Sequence, residues 1–267
     1  MDLSTYTGAG QFGRAWQCVL DNDPHAPGSV DRALFERMVR ICAETADYLY
    51  RAYAPTEVQD ASDVSVELTR HAREAACGCD TPEDRVAAVA RFTAGLAVGV
   101  DEGDLDGMLV GGTEEQIIAR GSDWCVDVAR VACALCQVVG VPARLVYLCN
   151  TGQAYSGHAI IEAHRQGAWG AVDSSTGVVY RRADGTPATT WELMSDAALV
   201  DAHRAPHAAY THPAQFRAAA VSNYFVWERP RYDYTVSGLN DYYRSILEMS
   251  NRRWPGGLRW LHGEDRL

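Results

Sequence analysis

Three residues of this 267-residue chain have side chains that could form a nucleophilic triad of thiol, imidazole and carboxylate: Cys125, His158 and Asp173. A thiol becomes a strong nucleophile when an imidazole takes or shares its proton, and a carboxylate can fix the tautomer of that imidazole and stabilise the imidazolium. Taken singly, the favoured explanations are structural: Cys125 as a core residue, His158 as a strand histidine and Asp173 as a turn residue. The three residues can act as one catalytic group only if the surrounding helices and strands bring them together.

The residues that follow Cys125 have the spacing of a helix that is buried on most sides. Apolar side chains recur at helical intervals, at Val128, Ala129, Ala132, Leu135, Cys136 and Val139, and the opposite face is also largely apolar. Asp123 or Ser122 can cap the start of this helix, and Gly140 can end it in the left-handed conformation. Cys125 then lies in the first turn, where the positive end of the helix dipole favours the thiolate over the thiol.

Two strands are expected further along, at His158–His164 and Trp169–Asp173, with a short hairpin connection at 165–168. If the turn is centred between residues 165 and 166, His158 lies directly opposite Asp173, with Cβ atoms about 4.5–5.5 Å apart. If the turn lies one residue later, the two are diagonal neighbours. In either register they share a face of the hairpin, so local sequence alone places an imidazole beside a carboxylate.

The other elements follow from capping residues and periodicity. Helices are expected at Asp31–Tyr53, Val64–Cys77, from Thr81 to near Gly99, at Glu114–Arg120 and from Thr190 through Leu199, and a strand is expected at Ala143–Cys149. The segment Ala205–Leu267 is rich in aromatic residues and is interpreted as a subdomain that covers the core. We expect a single domain with a helical N-terminal part (30–112), a core (113–180) and a C-terminal subdomain (181–267).

Composition is that of an ordinary globular protein, with 47% hydrophobic and 22% charged residues. The net charge of −11 disfavours nucleic acid and anionic membrane surfaces as partners. The polar segment Met1–Gly13 does not have the apolar region of a signal peptide, and no apolar run approaches the ~20 residues of a membrane span. We therefore expect a cytoplasmic protein.

Four of the eight cysteines occur in closely spaced pairs, C-x-C at Cys77 and Cys79 and C-x-x-C at Cys133 and Cys136. Together they could form a four-thiolate zinc site. Core packing is the favoured interpretation, because Cys133 and Cys136 fall inside the predicted helix and no tight turn aims both sulfurs at one ion. We expect neither a metal nor a cofactor.

The ordered set of motifs resembles the transglutaminase-like superfamily of cysteine enzymes. The motifs are C-x-D-x-A opening a helix, G-V-P-A-R entering a strand, G-H-A-x-x-E and W-x-x-x-D, here at Cys125–Ala129, Gly140–Arg144, Gly157–Glu162 and Trp169–Asp173. The resemblance covers about a quarter of the chain, roughly 114–180. It implies a papain-like α+β fold, a helix bearing the cysteine packed on an antiparallel sheet, with Cys125 as nucleophile, His158 as base and Asp173 as the residue that orients it.

The chemistry that this resemblance implies is acyl transfer through a cysteine thioester, from an amide, ester or thioester to an amine or water. We expect a small-molecule, peptide or carrier-bound acyl substrate. Amide formation in a biosynthetic pathway and a cysteine peptidase or amidase both remain open, and a catalytically silent binding or scaffold protein is the alternative of another class.

Two further residues are candidates for substrate contact. Trp124 could wall the acyl site, although packing beside the helix start explains it equally well. Glu162 could bind a basic group of the substrate, but a solvated or arginine-paired carboxylate is favoured. The backbone N–H of Cys125 is the expected oxyanion donor.

Overall fold

The computed structural model describes residues 37–52, 64–98, 109, 111–150, 156–203, 216 and 219–226. These residues form an α+β fold in which helices pack on an antiparallel sheet. The expected fold class is therefore confirmed. Most of the aromatic-rich C-terminal segment, including Tyr210 and everything beyond Val226, lies outside the described residues.

Most of the helices begin at a capping hydroxyl. The described α-helices are α1 (Ala43–Asp47), α2 (Val66–Ala75), α3 (Pro82–Ala94), α4 (Glu114–Arg120), α5 (Cys125–Val138), α6 (Thr190–Ser195) and α7 (Ala197–Asp201). A π-helical turn at Tyr48–Ala52 follows α1. Ser65, Thr81, Thr113 and Thr189 each accept a hydrogen bond from the N–H three residues on, at the starts of α2, α3, α4 and α6. None of the described helices is long and apolar enough to cross a bilayer.

The described residues form a six-stranded sheet, and its neighbouring strands are antiparallel in every pair. The strands are β1 (Val39–Ile41), β2 (Ala143–Asn150), β3 (Ser156–Arg165), β4 (Ala168–Asp173), β5 (Val178–Val179) and β6 (Ala219–Ser222), in the order β1-β6-β2-β3-β4-β5. Side chains of β2 alternate between two cores: Leu145 and Tyr147 join the cluster that contains α5, whereas Val146 and Leu148 join the cluster that contains α6 and α7. The sheet is thus covered on both faces.

Two strands differ from the sequence-based expectation. The helix expected at Asp31–Tyr53 is wrong in its middle, because Val39–Ile41 form β1 and, of the described residues 37–52, only Ala43–Asp47 are α-helical. β1 pairs with β6, Val39 lying opposite Val221. The apolar residues of this segment fit a helical period by chance, and the pairing that selects the strand comes from about 180 residues away. The C-terminal segment likewise contributes β6 to the core sheet; the expected division into three parts stays a prediction.

Gln137 attaches this C-terminal segment to α5. Its side-chain amide donates to the carbonyl oxygens of Tyr224, at 2.6 Å, and Ala143, at 3.0 Å, and its carbonyl accepts the N–H of Val226 at 2.9 Å. Gln137 is only 2% exposed. One side chain therefore satisfies three buried backbone groups on two other segments.

Replacing Gln137 with methionine is expected to destabilise the protein by about 2–4 kcal/mol, because buried backbone groups that lose their partners cost about 1–3 kcal/mol each. Urea unfolding would measure this loss, and hydrogen exchange should accelerate at residues 219–226. Cys133→Ala, one turn earlier, is the control: it removes a weak thiol contact of 3.6 Å to the Tyr224 carbonyl and should cost about 1 kcal/mol. Equal effects of the two substitutions would contradict the assignment.

Candidate active site

Cys125 is the first residue of α5, and it is half-buried. The expected cap is wrong: Trp124 occupies the N-cap position, and no side chain there caps the helix. Asp123 instead accepts the N–H of Leu109 at 2.7 Å, and the Ser122 hydroxyl accepts the N–H of Trp124 at 3.1 Å. Both side chains hold the turn before the helix rather than the helix itself.

The remainder of α5 agrees with the prediction. Every residue from Val126 to Gln137 is buried. The helix ends at Gly140, whose φ is +81°, with the N–H of Gly140 bonded to the Gln137 carbonyl at 3.0 Å and the N–H of Val141 bonded to the Cys136 carbonyl at 2.9 Å. This is the Schellman arrangement, in which a glycine in the left-handed conformation satisfies the last carbonyls.

The hairpin adopts the later of the two registers. Gln166 and Gly167 form the turn with φ values of +52° and +75°, as a type I′ turn requires, and Arg165 pairs with Ala168. In this register His158 and Asp173 are diagonal neighbours on one face. The expectation that local sequence places them together is confirmed: His158 Nε2 lies 3.0 Å from Asp173 Oδ2.

This pair is sealed from water. Both side chains are 1% exposed, and the second oxygen of Asp173 accepts the N–H of Ser175 at 3.0 Å. Burial lowers the pKa of His158, but the charge and hydrogen bond of Asp173, together with the Cys125 thiol, raise it to about 10. The imidazole is therefore protonated at neutral pH.

The Cys125 thiol is close enough to the His158 ring to help raise the pKa of the imidazole. Because Nε2 bonds to Asp173, Nδ1 is the ring nitrogen that can exchange a proton with the sulfur. The structure thus brings all three predicted residues into one cluster, in the order carboxylate, imidazole, thiol.

The other cysteines of α5 have a different environment. Cys133 and Cys136 are fully buried, and burial raises the pKa of both thiols, that of Cys136 to about 12. Cys77 is exposed, on the connection between α2 and α3. Within the described part of the chain, no three His, Cys, Asp or Glu side chains lie close enough together to hold a metal ion.

Glu162 is fully buried and paired with an arginine. Its carboxylate accepts hydrogen bonds from Arg144, at 2.7 and 2.9 Å, from the Tyr50 hydroxyl at 2.9 Å and from the Thr190 N–H at 2.8 Å. The Arg144 guanidinium also lies 4.0 Å from the centre of the Trp169 ring. These contacts match the structural alternative for Glu162, and its contact with a substrate stays a prediction.

Trp124 is 5% exposed and belongs to the core cluster that surrounds α5. Its position immediately before Cys125 fits packing beside the helix start. A role for Trp124 as a wall of the acyl site stays a prediction.

A buried charged cluster beside Cys125 was not given a role from sequence. Asp127 and Arg130 on α5 bond to each other at 3.1 Å, and Arg130 also bonds to Glu114 at 2.8 Å; all three side chains are fully buried. The sequence does indicate such a cluster, because two opposite charges three residues apart interrupt an otherwise apolar helix. Charge on a buried helix predicts a partner but does not identify which one.

With the geometry established, the chain can be compared with known families. Residues 69–174, less than half of the chain, match the model of the transglutaminase-like superfamily. This segment is therefore similar to that superfamily. The resemblance inferred from the motifs is confirmed, and the matched segment contains Cys125, His158 and Asp173. Comparisons with curated proteins and with solved structures gave no match.

Replacing Asp173 with asparagine keeps the shape of the side chain and removes its charge. The attraction that raises the pKa of His158 is lost while burial, which lowers that pKa, remains. We expect His158 to release its proton well below pH 10, near or below its ordinary value of 6.5. Nitrogen-15 NMR of the imidazole would follow this titration.

Asp184→Asn, at an exposed turn, is the matched control and should leave the titration of His158 unchanged. A raised pKa stabilises the folded state fully below the ordinary pKa, and this stabilisation is lost as the pH rises through about 10. The free energy of unfolding should therefore fall more between pH 7 and pH 10 in the wild type than in Asp173→Asn. Identical pH dependence in the two would argue against the pair.

Proposed function

We propose that this protein is a thiol-dependent acyl-transfer enzyme of the transglutaminase-like superfamily, with Cys125 as nucleophile, His158 as acid and base and Asp173 as the group that orients and charges the imidazole. The observation that carries the proposal is the buried His158–Asp173 bond of 3.0 Å beside a half-buried thiol at the start of a helix. A carboxylate, an imidazole and an accessible sulfur in this order are the parts of a nucleophilic triad.

In the first half-reaction the Cys125 sulfur attacks the acyl carbonyl carbon and a C–S bond forms. The oxygen that gains negative charge is stabilised by the N–H of Cys125 at the positive end of α5. The bond from the acyl carbon to the amine, alcohol or thiol then breaks, and the protonated His158 gives its proton to this leaving group. The acyl group remains on Cys125 as a thioester.

In the second half-reaction His158 takes a proton from the acceptor while the acceptor attacks the thioester carbonyl. The C–S bond breaks, and the sulfur leaves as the thiolate next to the imidazolium. Water as the acceptor gives hydrolysis and an amine gives an amide, so one site supports both reactions and access of the acceptor decides between them. A small molecule, a peptide or a carrier-bound acyl group is the proposed donor.

Cys125 should be alkylated by iodoacetamide at pH 7 at least about tenfold faster than Cys133 and Cys136, because the latter are buried and their raised pKa values keep them as thiols. Peptide mass spectrometry would assign the rates to individual residues. Cys77 serves as the reference for an exposed thiol outside the site. If Cys125 reacts no faster than Cys77, it is not activated and the proposal fails.

Cys125→Ala should reduce turnover of p-nitrophenyl acetate, a generic acyl donor, by at least about 100-fold while the circular dichroism spectrum and melting temperature stay close to those of the wild type. Cys77→Ala is the matched control and should keep full activity. Undiminished turnover in folded Cys125→Ala would exclude this thiol as the nucleophile.

Transfer and hydrolysis can be separated with the same donor. When glycinamide is added, N-acetylglycinamide should form at the expense of acetate, and its share should rise with amine concentration, because both products come from one acyl-enzyme. Mass spectrometry of the products gives the ratio. Acetate as the sole product at every amine concentration would restrict the proposal to hydrolysis.

A further inference from the structure

Asp127 lies two residues after Cys125, in the first turn of α5, and is fully buried. One carboxylate oxygen accepts the N–H of Gly111 at 2.6 Å and lies 2.9 Å from the Ser122 hydroxyl. The other oxygen accepts from Arg130 at 3.1 Å. The carboxylate therefore links Gly111 and Ser122, which precede the nucleophile in the chain, to Arg130 on α5.

Ser122 extends this contact to the nucleophile itself. Its hydroxyl oxygen accepts the N–H of Trp124, at 3.1 Å, and the Trp124 carbonyl is part of the peptide whose N–H belongs to Cys125. No side chain caps α5 at Trp124. A short chain of hydrogen bonds from Asp127 through Ser122 thus orients the backbone from which the Cys125 side chain and N–H project.

Arg130 anchors the Asp127 carboxylate from the opposite side. The Arg130 guanidinium donates to Glu114 at 2.8 Å and to the Gly112 carbonyl at 3.0 Å, and the Tyr224 hydroxyl also donates to Glu114. The side chains of Asp127, Arg130 and Glu114 are fully buried. A buried charged side chain that loses its partner destabilises the folded protein strongly, so these side chains can adopt few other arrangements.

We propose that Asp127 is a positioning residue for Cys125: its buried carboxylate, braced by Arg130, fixes the turn at Ser122–Trp124 and so sets where the thiol and the backbone N–H of Cys125 point. This inference rests on the proposed role of Cys125 as nucleophile. Asp127 acts through Ser122 and the backbone and does not itself touch the reacting atoms.

Because Asp127 is charged, the direction in which the alkylation rate of Cys125 changes tests its role. A negative charge two residues from a thiolate disfavours that thiolate, so removing the charge alone would make Cys125 alkylate faster. Loss of positioning would slow the alkylation of Cys125, and it would lower kcat by a larger factor than it raises KM. The two effects oppose each other, and a merely structural role predicts neither slower alkylation nor a lower kcat in a folded variant.

The experiment compares Asp127→Asn, Ser122→Ala and Glu83→Gln with the full-length wild type. Alkylation of Cys125 by iodoacetamide is measured at pH 7 by peptide mass spectrometry, and kcat and KM are measured with p-nitrophenyl acetate. We expect Asp127→Asn to slow alkylation and lower kcat by about tenfold or more, and Ser122→Ala to lower both by a smaller factor without any change of charge.

Glu83→Gln is the matched control. Glu83 also pairs with two arginines, Arg165 at 2.8 Å and Arg181, and Arg165 lies seven residues along β3 from His158, which is about 23 Å at 3.3 Å per residue. It should leave alkylation of Cys125 and kcat within about twofold of the wild type, as expected for a charge pair far from the site.

Faster or unchanged alkylation in folded Asp127→Asn would overturn the inference. If that variant does not fold, Ser122→Ala decides, and wild-type alkylation and kcat in it would also overturn the inference. Absence of turnover in the wild type, with alkylation of Cys125 still rapid and slowed by both substitutions, would refute acyl transfer while supporting the positioning role. The two proposals can therefore fail separately.

Discussion

Burial of helix α5 is the constraint on which the rest of this structure depends. Twelve successive residues, Val126–Gln137, are buried, and three of them carry polar side chains. A buried polar or charged group without a partner costs several kcal/mol, so Asp127, Arg130 and Gln137 each need partners from elsewhere in the chain. Gly111 and Ser122 supply them for Asp127, Glu114 on α4 for Arg130, and the backbone around Tyr224 for Gln137. Segments more than 100 residues apart are thereby bound to one helix, and the turn before Cys125 is bound with them.

The candidate site combines a fully buried imidazole–carboxylate pair with a half-buried cysteine. His158 and Asp173 are screened from water, which strengthens their attraction enough to outweigh the loss of hydration by the imidazolium and to raise the pKa of His158 to about 10. Cys125, by contrast, is half-buried, which is compatible with the nucleophilic role proposed for it. Cys133 and Cys136 show the alternative outcome on the same helix: full burial raises the pKa of both thiols, so they stay protonated and unreactive.

Elements with a strong local signal could be predicted from sequence, and those selected by distant pairing could not. The start of α3 at Thr81 and Pro82, α4 and the β3–β4 hairpin each follow from a cap, a proline or a turn within a few residues. The strands β1 and β6 have three and four residues and select each other across the whole chain, so neither has a period that a short window can detect. The start of α5 differs from the prediction for the same reason: Asp123 accepts the N–H of Leu109, and that contact is not local to the helix.

The meeting of Cys125 with His158 follows from connectivity more than from any single contact. Only residues 139–142 separate α5 from β2, so a helix that packs on the sheet must run back against β2, and β3 reverses direction once more. The first residue of α5 and the first residues of β3 therefore lie at the same end of the sheet, as does the last residue of β4. The lengths agree: the 14 residues of α5 span about 21 Å, and the five steps of β2 from Ala143 to Leu148, which lies opposite His158, span about 17 Å. A short α–β link and one tight hairpin are thus sufficient to gather a thiol, an imidazole and a carboxylate, and the buried charges around Asp127 have only to set the final orientation of the first.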